Sequence, residues 1–394
     1  MDSWWLGANA ARQDLRPAPT DDMVRKPLRS EEDLPGSRGE ARVPAFASEA
    51  AQQAAPALCG RPGRAVVTGG AGFIGSHLCG ELLRRGFEVH AVDDLSTGRR
   101  ANLDSLLAES RLRLTVASVA DPGVAAAICG GADVVFHLAG VVGVRRLASE
   151  PLVVMQSNLS STQSLLAAAA AVGVPVLLAS SSEVYGDGPV PFRERDPVRP
   201  GSTEGLRGGY ACAKAMGEWL ALGHADGSGL PVVIARLFNT VGPRQSGDHG
   251  MVLPRFVAQA LRGEPLTVYG DGAQTRCFAH VGDVVRALVD LVGAHGAAGR
   301  VFNVGSDRET TVLALAQLVR ERARSRSPID HVPFGAVFPP GFVDPPRRVP
   351  ALERLRSTIG WAPSTPLSSI VDELIQLAGC SARQRDAAVS HSLA

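Results

Sequence analysis

Two short polar clusters contain residue types suited to acid–base chemistry. In the first, Tyr210 and Lys214 are four positions apart, a spacing that places both side chains on one face of a helix. A phenol with a pKa near ~10 is a poor base at neutral pH, but an ammonium group one helical turn away stabilises its phenolate. The pair could therefore take a proton from a substrate hydroxyl, although the same spacing is common on solvated helix faces.

The second cluster directly follows an apolar run. Ser180, Ser181, Ser182 and Glu183 place three hydroxyls and a carboxylate where a buried strand should end. In α/β enzymes, ligands bind at the carboxyl edge of the parallel strands. A polar turn that caps a helix is the alternative, but the position at a strand end and the Tyr/Lys pair together favour a catalytic site.

A glycine-rich loop, GGAGFIG over residues 69–75, stands between an apolar strand and a helical segment. Gly69 would allow the tight turn, Gly72 the approach of a pyrophosphate, and Gly75 the close packing of helix on strand. The start of the helix then offers free N–H groups and the positive end of its dipole to phosphates. The loop and its context predict a dinucleotide site.

Asp93 ends the second predicted strand, 18 residues after Gly75. A carboxylate at this place accepts hydrogen bonds from an adenosine ribose and repels a 2′-phosphate, so the sequence favours NAD over NADP. Arg99 and Arg100 follow soon afterwards and leave NADP as the less favoured alternative.

Strands and helices that alternate from residue 64 onward should position these clusters. The predicted strands are 65–68, 87–92, 112–116, 133–137 and 174–179, and helical segments are predicted at 73–85, after Asp121 and at 151–172. Such alternation implies right-handed βαβ units. The predicted fold class is therefore α/β, a Rossmann-type doubly wound parallel sheet with a smaller α+β C-terminal lobe that binds substrate.

The chain divides into four predicted segments. Residues 1–60 lack periodicity and are expected to form a flexible N-terminal extension, in which Trp4 and Trp5 could dock on the body or on a partner. The other segments are an NAD-binding Rossmann domain over 61–250, a mainly substrate-binding lobe over 251–380, and a flexible tail over 381–394. The boundary at 250 is imprecise, because chains of this kind cross between lobes more than once.

The composition argues against several classes of function. The 40 basic and 39 acidic residues nearly cancel, so no overall field favours nucleic acid or anionic lipid as a partner. The six cysteines lack C-x-x-C pairs and zinc-ligand spacing, and no metal site is expected. No apolar stretch is long enough to span a membrane, and the N-terminus lacks the apolar region of a signal peptide. A cytoplasmic protein is expected.

Seven segments, in order, resemble the motifs of extended short-chain dehydrogenases that act on nucleotide sugars. They are GGAGFIGSHL, VDDLSTG, HLAG, SSSEVYG, YACAK, RLFNTVGPRQ and LTVYGDGAQTRCFAHVGD. The resemblance covers approximately residues 64–375. It is specific for the superfamily and much less specific for the reaction.

The resemblance implies roles for individual positions. The residues expected to bind NAD are Gly69, Gly72, Phe73, Ile74, Gly75, Asp93, Asp94, Ser96, Thr97, Gly98, Ser118, Val119, Leu138, Ala139, Tyr210 and Lys214. Tyr210 would be the base, Ser181 would hydrogen-bond the same sugar oxygen, and Lys214 would be the electrostatic partner. The residues expected to bind a UDP-sugar are Asn239, Tyr269, Arg276 and Arg347. A homodimer with a four-helix interface is also implied.

Enzymes of this superfamily oxidise C4 of the sugar first and differ in the step that follows. The Ser182-Glu183 pair most resembles that of UDP-glucuronate decarboxylases, in which the 4-keto uronate loses CO2. Ser182 and Glu183 would orient the carboxylate or move protons at C5, and Arg276 could assist electrostatically. The expected product is UDP-xylose or the UDP-4-keto-pentose.

Three alternatives stay open. Glu183 could be a structural acid in a UDP-hexose or UDP-uronate 4-epimerase, which needs only room for the keto sugar to rotate. A nucleotide-sugar 4,6-dehydratase is less favoured, because it typically has Asp-Glu at this place. A non-catalytic protein that senses NAD or sugar nucleotides is disfavoured because Ser181, Tyr210 and Lys214 are all present.

Overall fold

The computed structural model describes residues 62–247, 251–338 and 344–392. The predicted extension over 1–60, with Trp4 and Trp5, lies outside these ranges. The strands are β1 (Arg64–Thr68), β2 (Glu88–Asp93), β3 (Leu112–Val116), β4 (Val134–His137), β5 (Val176–Ser181), β6 (Val232–Leu237), β7 (Thr240–Val241), β8 (Leu266–Tyr269), β9 (Thr275–Cys277), β10 (Ala279–His280), β11 (Arg300–Val304), β12 (Glu309–Thr311) and β13 (Ile329–Val332).

Seven of these strands form one parallel sheet in the order β11-β6-β5-β4-β1-β2-β3. The run β3-β2-β1-β4-β5-β6 is the doubly wound order of a Rossmann fold. The predicted fold class is confirmed. Strand β5 ends at Ser181, two residues later than the sequence predicted, so the polar cluster begins inside the strand.

The helices are α1 (Phe73–Arg84), α2 (Pro122–Cys129), α3 (Val144–Ser149), α4 (Pro151–Val172), α5 (Leu206–Ser228), α6 (Val252–Arg262), α7 (Val281–Gly293), α8 (Val312–Arg322), α9 (Glu353–Ile359) and α10 (Leu367–Ser392). Helix α10 runs through most of the tail predicted from residue 381. Within the described ranges, none of these helices is long and apolar enough to cross a membrane.

The sheet is covered on both faces, because its strands are apolar on both sides. Consecutive residues of a strand point to opposite faces, and in β1 the buried Val67 and Val66 contribute to two different cores. The core with Val67 includes Leu82 of α1 and Leu288 of α7. The core with Val66 includes Leu165 of α4, on the opposite face.

A third core lies in the C-terminal half of the chain. It contains Phe256 of α6, Leu315 of α8 and Ile370 of α10. Small two-stranded sheets pair β10 with β7, β12 with β9 and β13 with β8. The chain nevertheless returns to the large sheet, where β11 pairs with β6. The predicted boundary at residue 250 therefore does not separate the sheet from the smaller lobe.

Candidate active site

A cavity of about 950 Å³ opens at the carboxyl ends of the central strands. Residues that follow β1, β2, β4, β5 and β6 line one side, and residues of the C-terminal half line the other. The carboxyl edge of a doubly wound sheet is where such folds bind ligands. The volume lies at the upper end of the range for single small-molecule sites, so it can hold a large ligand or two adjacent ones.

The glycine loop forms one wall of this cavity. Gly69 has a φ of +69°, which favours glycine, and a β-carbon there would lie 2.8 Å from the backbone nitrogen of Ala139. A β-carbon on Gly75 would lie 2.0 Å from the Gly69 carbonyl oxygen. Helix α1 begins after Gly72, which has no side chain to cap it. The first N–H groups of the helix are thus available to an anion in the cavity.

Asp93 lies at the end of β2 beside this loop. Its carboxylate accepts hydrogen bonds from the backbone nitrogens of Ala71, at 2.9 Å, and Leu95, at 2.8 Å. Burial raises the pKa of Asp93, and these backbone hydrogen bonds oppose that rise. The carboxylate lines the cavity, where its remaining lone pairs can accept from ribose hydroxyls.

Ser181, Tyr210 and Lys214 line the same cavity from β5 and α5. Ser181 is the last residue of β5, and Tyr210 and Lys214 are one turn apart on α5. The Ser181 hydroxyl is a hydrogen-bond partner of the Tyr210 phenol. Lys214 Nζ donates to the carbonyl oxygen of Ala179 in β5, at 3.2 Å. The helix and the strand together place all three side chains on the cavity.

The surroundings shift the pKa values of Tyr210 and Lys214 in opposite directions. Burial raises the pKa of Tyr210, and the hydrogen bond with Ser181 opposes this rise. Burial lowers the pKa of Lys214 to about 8, and the charge of Glu218 opposes that fall. Tyr210 therefore needs nearby positive charge to ionise at neutral pH, and Lys214 can supply it while it is protonated.

Glu183 links the two halves of the cavity wall. It lies in a 3-10 turn after β5, and its two carboxylate oxygens accept from Arg348 Nη1 at 2.6 Å and Nη2 at 2.9 Å. The Arg348 side chain is 7% exposed and that of Glu183 22%. This bidentate pair stands beside Ser181 and Ser182, so a carboxylate and a guanidinium both line the cavity next to these hydroxyls.

Sequence reasoning missed Arg348 and named its neighbour Arg347. Arg347 does not line the cavity; its side chain is 53% exposed and binds Glu309. Consecutive residues of an extended segment face opposite sides, and residues 349–351 pair with Phe192 in this way. Two adjacent arginines gave no signal of which side each would face.

Of the other predicted substrate residues, one follows β6 and two lie in the C-terminal half. Asn239 and Tyr269 line the cavity, and so does Arg276, which is 8% exposed and pairs with Asp344 at 2.7 Å. The Arg255 guanidinium lies 4.1 Å from the centre of the Tyr269 ring. An aromatic ring next to two arginines suits a planar base joined to phosphates.

Most of the predicted cofactor positions also line the cavity. These are Gly69, Gly72, Phe73, Ile74, Gly75, Asp93, Asp94, Ser96, Thr97, Ser118, Val119, Leu138, Ala139, Tyr210 and Lys214. Gly98 is outside the lining and lies against the Asp93 carboxylate instead. Among the described residues, no group of three or more His, Cys, Asp or Glu side chains could hold a metal ion.

The chain is similar to known proteins over most of its length. Residues 65–305 match the model of the NAD dependent epimerase/dehydratase family. The UDP-N-acetyl-alpha-D-glucosaminuronate decarboxylase of Bacillus cytotoxicus is 38% identical over 79% of this chain and 97% of that protein. UDP-glucuronic acid decarboxylase 1 of Danio rerio is 36% identical over 79% of this chain and 72% of that protein. UDP-glucose 4-epimerase of Thermotoga maritima, solved with UDP-glucose, superposes with a TM-score of 0.73 at 28% identity, over 81% of this chain and 99% of that one.

Proposed function

The chain belongs to the NAD dependent epimerase/dehydratase family, and from this premise we propose that it decarboxylates a UDP-hexuronate such as UDP-glucuronate. The observation that carries the proposal is the bidentate pair of Glu183 and Arg348 beside Ser181 and Tyr210. The similarity to two decarboxylases of UDP-uronates supports it. The expected product is a UDP-pentose, UDP-xylose in the case of UDP-glucuronate, or its 4-keto form.

The residues on the cavity wall fit NAD. The open N-terminus of α1 would hold the pyrophosphate, Asp93 the adenosine ribose, and Lys214 the nicotinamide ribose. When bound, NAD supplies oxidation at C4 by accepting a hydride, and it can return that hydride later. Its positively charged nicotinamide ring would also favour ionisation of the Tyr210 phenol, whose pKa burial raises.

The side chains around Tyr210 divide the remaining work. Tyr210 removes the proton of the C4 hydroxyl, Ser181 hydrogen-bonds that oxygen, and Lys214 stabilises the phenolate. Once C4 is a ketone, the sugar is a β-keto acid, because its C6 carboxylate and the ketone are both attached to C5. Electrons of the C5–C6 bond then move toward the ketone as CO2 leaves, and a proton is returned to C5.

Glu183 and Arg348 would act at the carboxylate end of the sugar. The Arg348 guanidinium can orient the uronate carboxylate, while Glu183 holds that guanidinium in place and can exchange a proton near C5. The Ser182 hydroxyl, adjacent in the chain, offers a further hydrogen bond. Loss of CO2 removes the sugar's carboxylate, so the product no longer pairs with the Arg348 guanidinium. This loss favours release of the product.

Asn239, Arg276 and Tyr269 would bind the UDP part of the substrate. Arg276 is fixed by Asp344, so its guanidinium is positioned before ligand binding and needs little ordering. Arg347 is not part of this proposal, because it faces Glu309 outside the cavity.

A 4-epimerase acting on the same uronates is the second candidate. It is favoured by the superposition on a UDP-glucose 4-epimerase over 99% of that chain. Both reactions begin with oxidation at C4, so the residues that bind NAD and the base cannot separate them. The two reactions differ in the fate of the C6 carboxylate, which only the decarboxylase releases as CO2.

Turnover assays distinguish these reactions. The full chain is incubated with NAD and either UDP-glucuronate or its 2-acetamido analogue, and released CO2 and the nucleotide sugars are measured. We expect CO2 in amounts equal to the pentose nucleotide formed. Conversion of a uronate to its C4 epimer without CO2 would replace the first proposal with the second.

We also propose that two copies of the chain pair through α4 and α5. Large apolar side chains are exposed on both helices, among them Val153 (46%), Met216 (41%) and Trp219 (57%). Helices α4 and α5 pack on each other, and exposed apolar side chains on adjoining elements are typical of protein interfaces. Light scattering should give the mass of a dimer, and Trp219→Asp should give that of a monomer; a monomeric wild-type chain would refute the pairing.

A further inference from the structure

A buried ion pair lies directly behind the catalytic side chains. Glu218 of α5 and Arg236 of β6 are each 4% exposed. Arg236 donates from Nη2 to one carboxylate oxygen at 2.6 Å and from Nε to the other at 2.9 Å. The Ser180 hydroxyl donates to the same carboxylate at 2.5 Å. Well-packed apolar residues often replace such pairs without loss of stability, so stability alone is a weak reason for this one.

Its location connects the two elements that form the active site. Glu218 follows Lys214 by one helical turn, just as Lys214 follows Tyr210, so all three occupy one face of α5. Ser180 immediately precedes Ser181 and is the register partner of Arg236 in the neighbouring strand. The Glu218 carboxylate therefore ties the helix of Tyr210 and Lys214 to the strand of Ser181.

The charge of Glu218 also acts on Lys214. It raises the pKa of Lys214 against the effect of burial. From β4, His137 faces Lys214, and burial lowers the pKa of His137 to about 3, so this imidazole is neutral.

Among the other elements packed on α5, helix α3 contains Arg146, which pairs with Glu150 at 3.2 Å. From β5 the Ala179 carbonyl oxygen accepts the hydrogen bond of Lys214, and α4, which packs on α5, has no ionisable side chain over 151–172. Glu183 acts on Tyr210 from the turn after β5. Arg236 is the cation on the far side of Glu218.

We propose that Glu218 is a positioning residue that holds Tyr210 and Lys214 against Ser181 and keeps Lys214 in its ammonium form. The proposal rests on the proposed roles of Tyr210 and Lys214 as base and electrostatic partner. Arg236 and Ser180 fix the carboxylate in place, so that it cannot turn into the cavity and compete for substrate.

Glu218→Gln tests this role, because it keeps the shape and removes the charge. We expect the alkaline limb of the kcat profile to move to lower pH by about one unit, since the loss of an opposite charge nearby shifts a pKa by roughly 1–3 units. KM should change little. Glu218→Asp, which keeps the charge, should retain the position of the limb even if kcat falls. Glu264→Gln, in the exposed pair with Arg262, is the matched control.

Adding Arg236→Met to Glu218→Gln removes the positive charge that the first change leaves unpaired, and the limb should return toward its wild-type position. A loss of activity equal at every pH in Glu218→Gln would overturn the proposal and leave Glu218 a merely structural residue. NAD content and melting temperature identify any variant that has not folded. If Glu218→Gln does not fold, the pH profile of Glu218→Asp is compared with that of wild type instead.

A second measurement does not depend on the substrate. The rate at which acetic anhydride labels Lys214 is followed against pH by peptide mass spectrometry, in the full chain with and without NAD. The midpoint should be lower in Glu218→Gln than in wild type, and equal midpoints would refute the proposal. Absence of turnover on any uronate would instead refute only the proposed function.

Discussion

Arg348 and Arg347 offer a comparison of two adjacent, chemically identical side chains in different surroundings. Arg348→Met removes two charge-assisted hydrogen bonds, of 2.6 and 2.9 Å, from a guanidinium that is 7% exposed. Arg347→Met removes a pair with Glu309 in which the arginine is 53% exposed. The two variants lose the same charge and nearly the same volume, so differences between them report position.

The expected magnitudes follow from burial. Hydrogen bonds to charged groups are worth about 1.5–3 kcal/mol each, and part of the loss is recovered because Glu183 stays accessible from the cavity. A loss of about 3 kcal/mol in transition-state stabilisation corresponds to roughly a hundredfold lower kcat/KM for Arg348→Met. An exposed pair is worth about 0–1 kcal/mol, so Arg347→Met should lose less than about fivefold.

CO2 release from UDP-glucuronate by the full chain, with NAD saturating, is the assay. Melting temperature and NAD content serve as controls for folding, and Arg348→Lys, which keeps the charge but not the bidentate geometry, should fall between wild type and Arg348→Met. An equal or larger loss in Arg347→Met would refute both the assignment of Arg348 to the cavity and the role given to its pair with Glu183.

Three further outcomes are expected. Tyr210→Phe should lower the decarboxylation rate by at least about 10²-fold while NAD stays bound, since a general base contributes roughly 10²–10⁴ in rate. CO2 release measures the rate, and gel filtration measures the NAD retained. Full activity would contradict the role of Tyr210 as base. Because Lys214 is protonated below its pKa of about 8 and neutral above it, kcat/KM should fall as pH rises through that value. A pH profile of kcat/KM that stays flat to pH 10 would contradict the role of the Lys214 ammonium. Asp93→Asn should weaken NAD binding and reduce the preference for NAD over NADP, because an amide cannot accept both backbone N–H groups and no longer repels a 2′-phosphate. Isothermal titration with both dinucleotides measures the two affinities. An unchanged ratio of these affinities would contradict the role of Asp93.

The sequence was most informative where local patterns and tertiary structure agree. The predicted helix 151–172 and strand 112–116 match α4 and β3 to the residue, because a proline start and a glycine end mark the helix and alternating apolar residues mark the strand. The glycine loop and Asp93 were predicted to lie together from their spacing, and the structure places both on the cavity wall. The polar residues predicted at the end of β5 could also be placed at the carboxyl edge of the sheet, because the parallel topology brings the strand ends together there.

Long-range pairing was not predictable in this way. Strands β9 and β12 have three residues each, too short for periodicity to show, yet their pairing sets Arg276 and Glu309 on neighbouring strands. The choice between Arg347 and Arg348 depended on a register with Phe192, more than 150 residues away in sequence. Glu218 and Arg236 were missed because a charged pair inside a core has no signature in either strand or helix pattern alone.

The return of β11 to the large sheet makes the molecule hard to dissect. A fragment ending at residue 250 would lose β11 and leave β6 as a long apolar edge with unpaired backbone groups, a typical starting point for aggregation. It would also lose Asn303, which accepts a hydrogen bond from Tyr185 at 2.7 Å and so supports the turn that carries Glu183. The parts of the chain before and after residue 250 should therefore unfold in one cooperative transition, and neither should survive as an independent module for domain exchange.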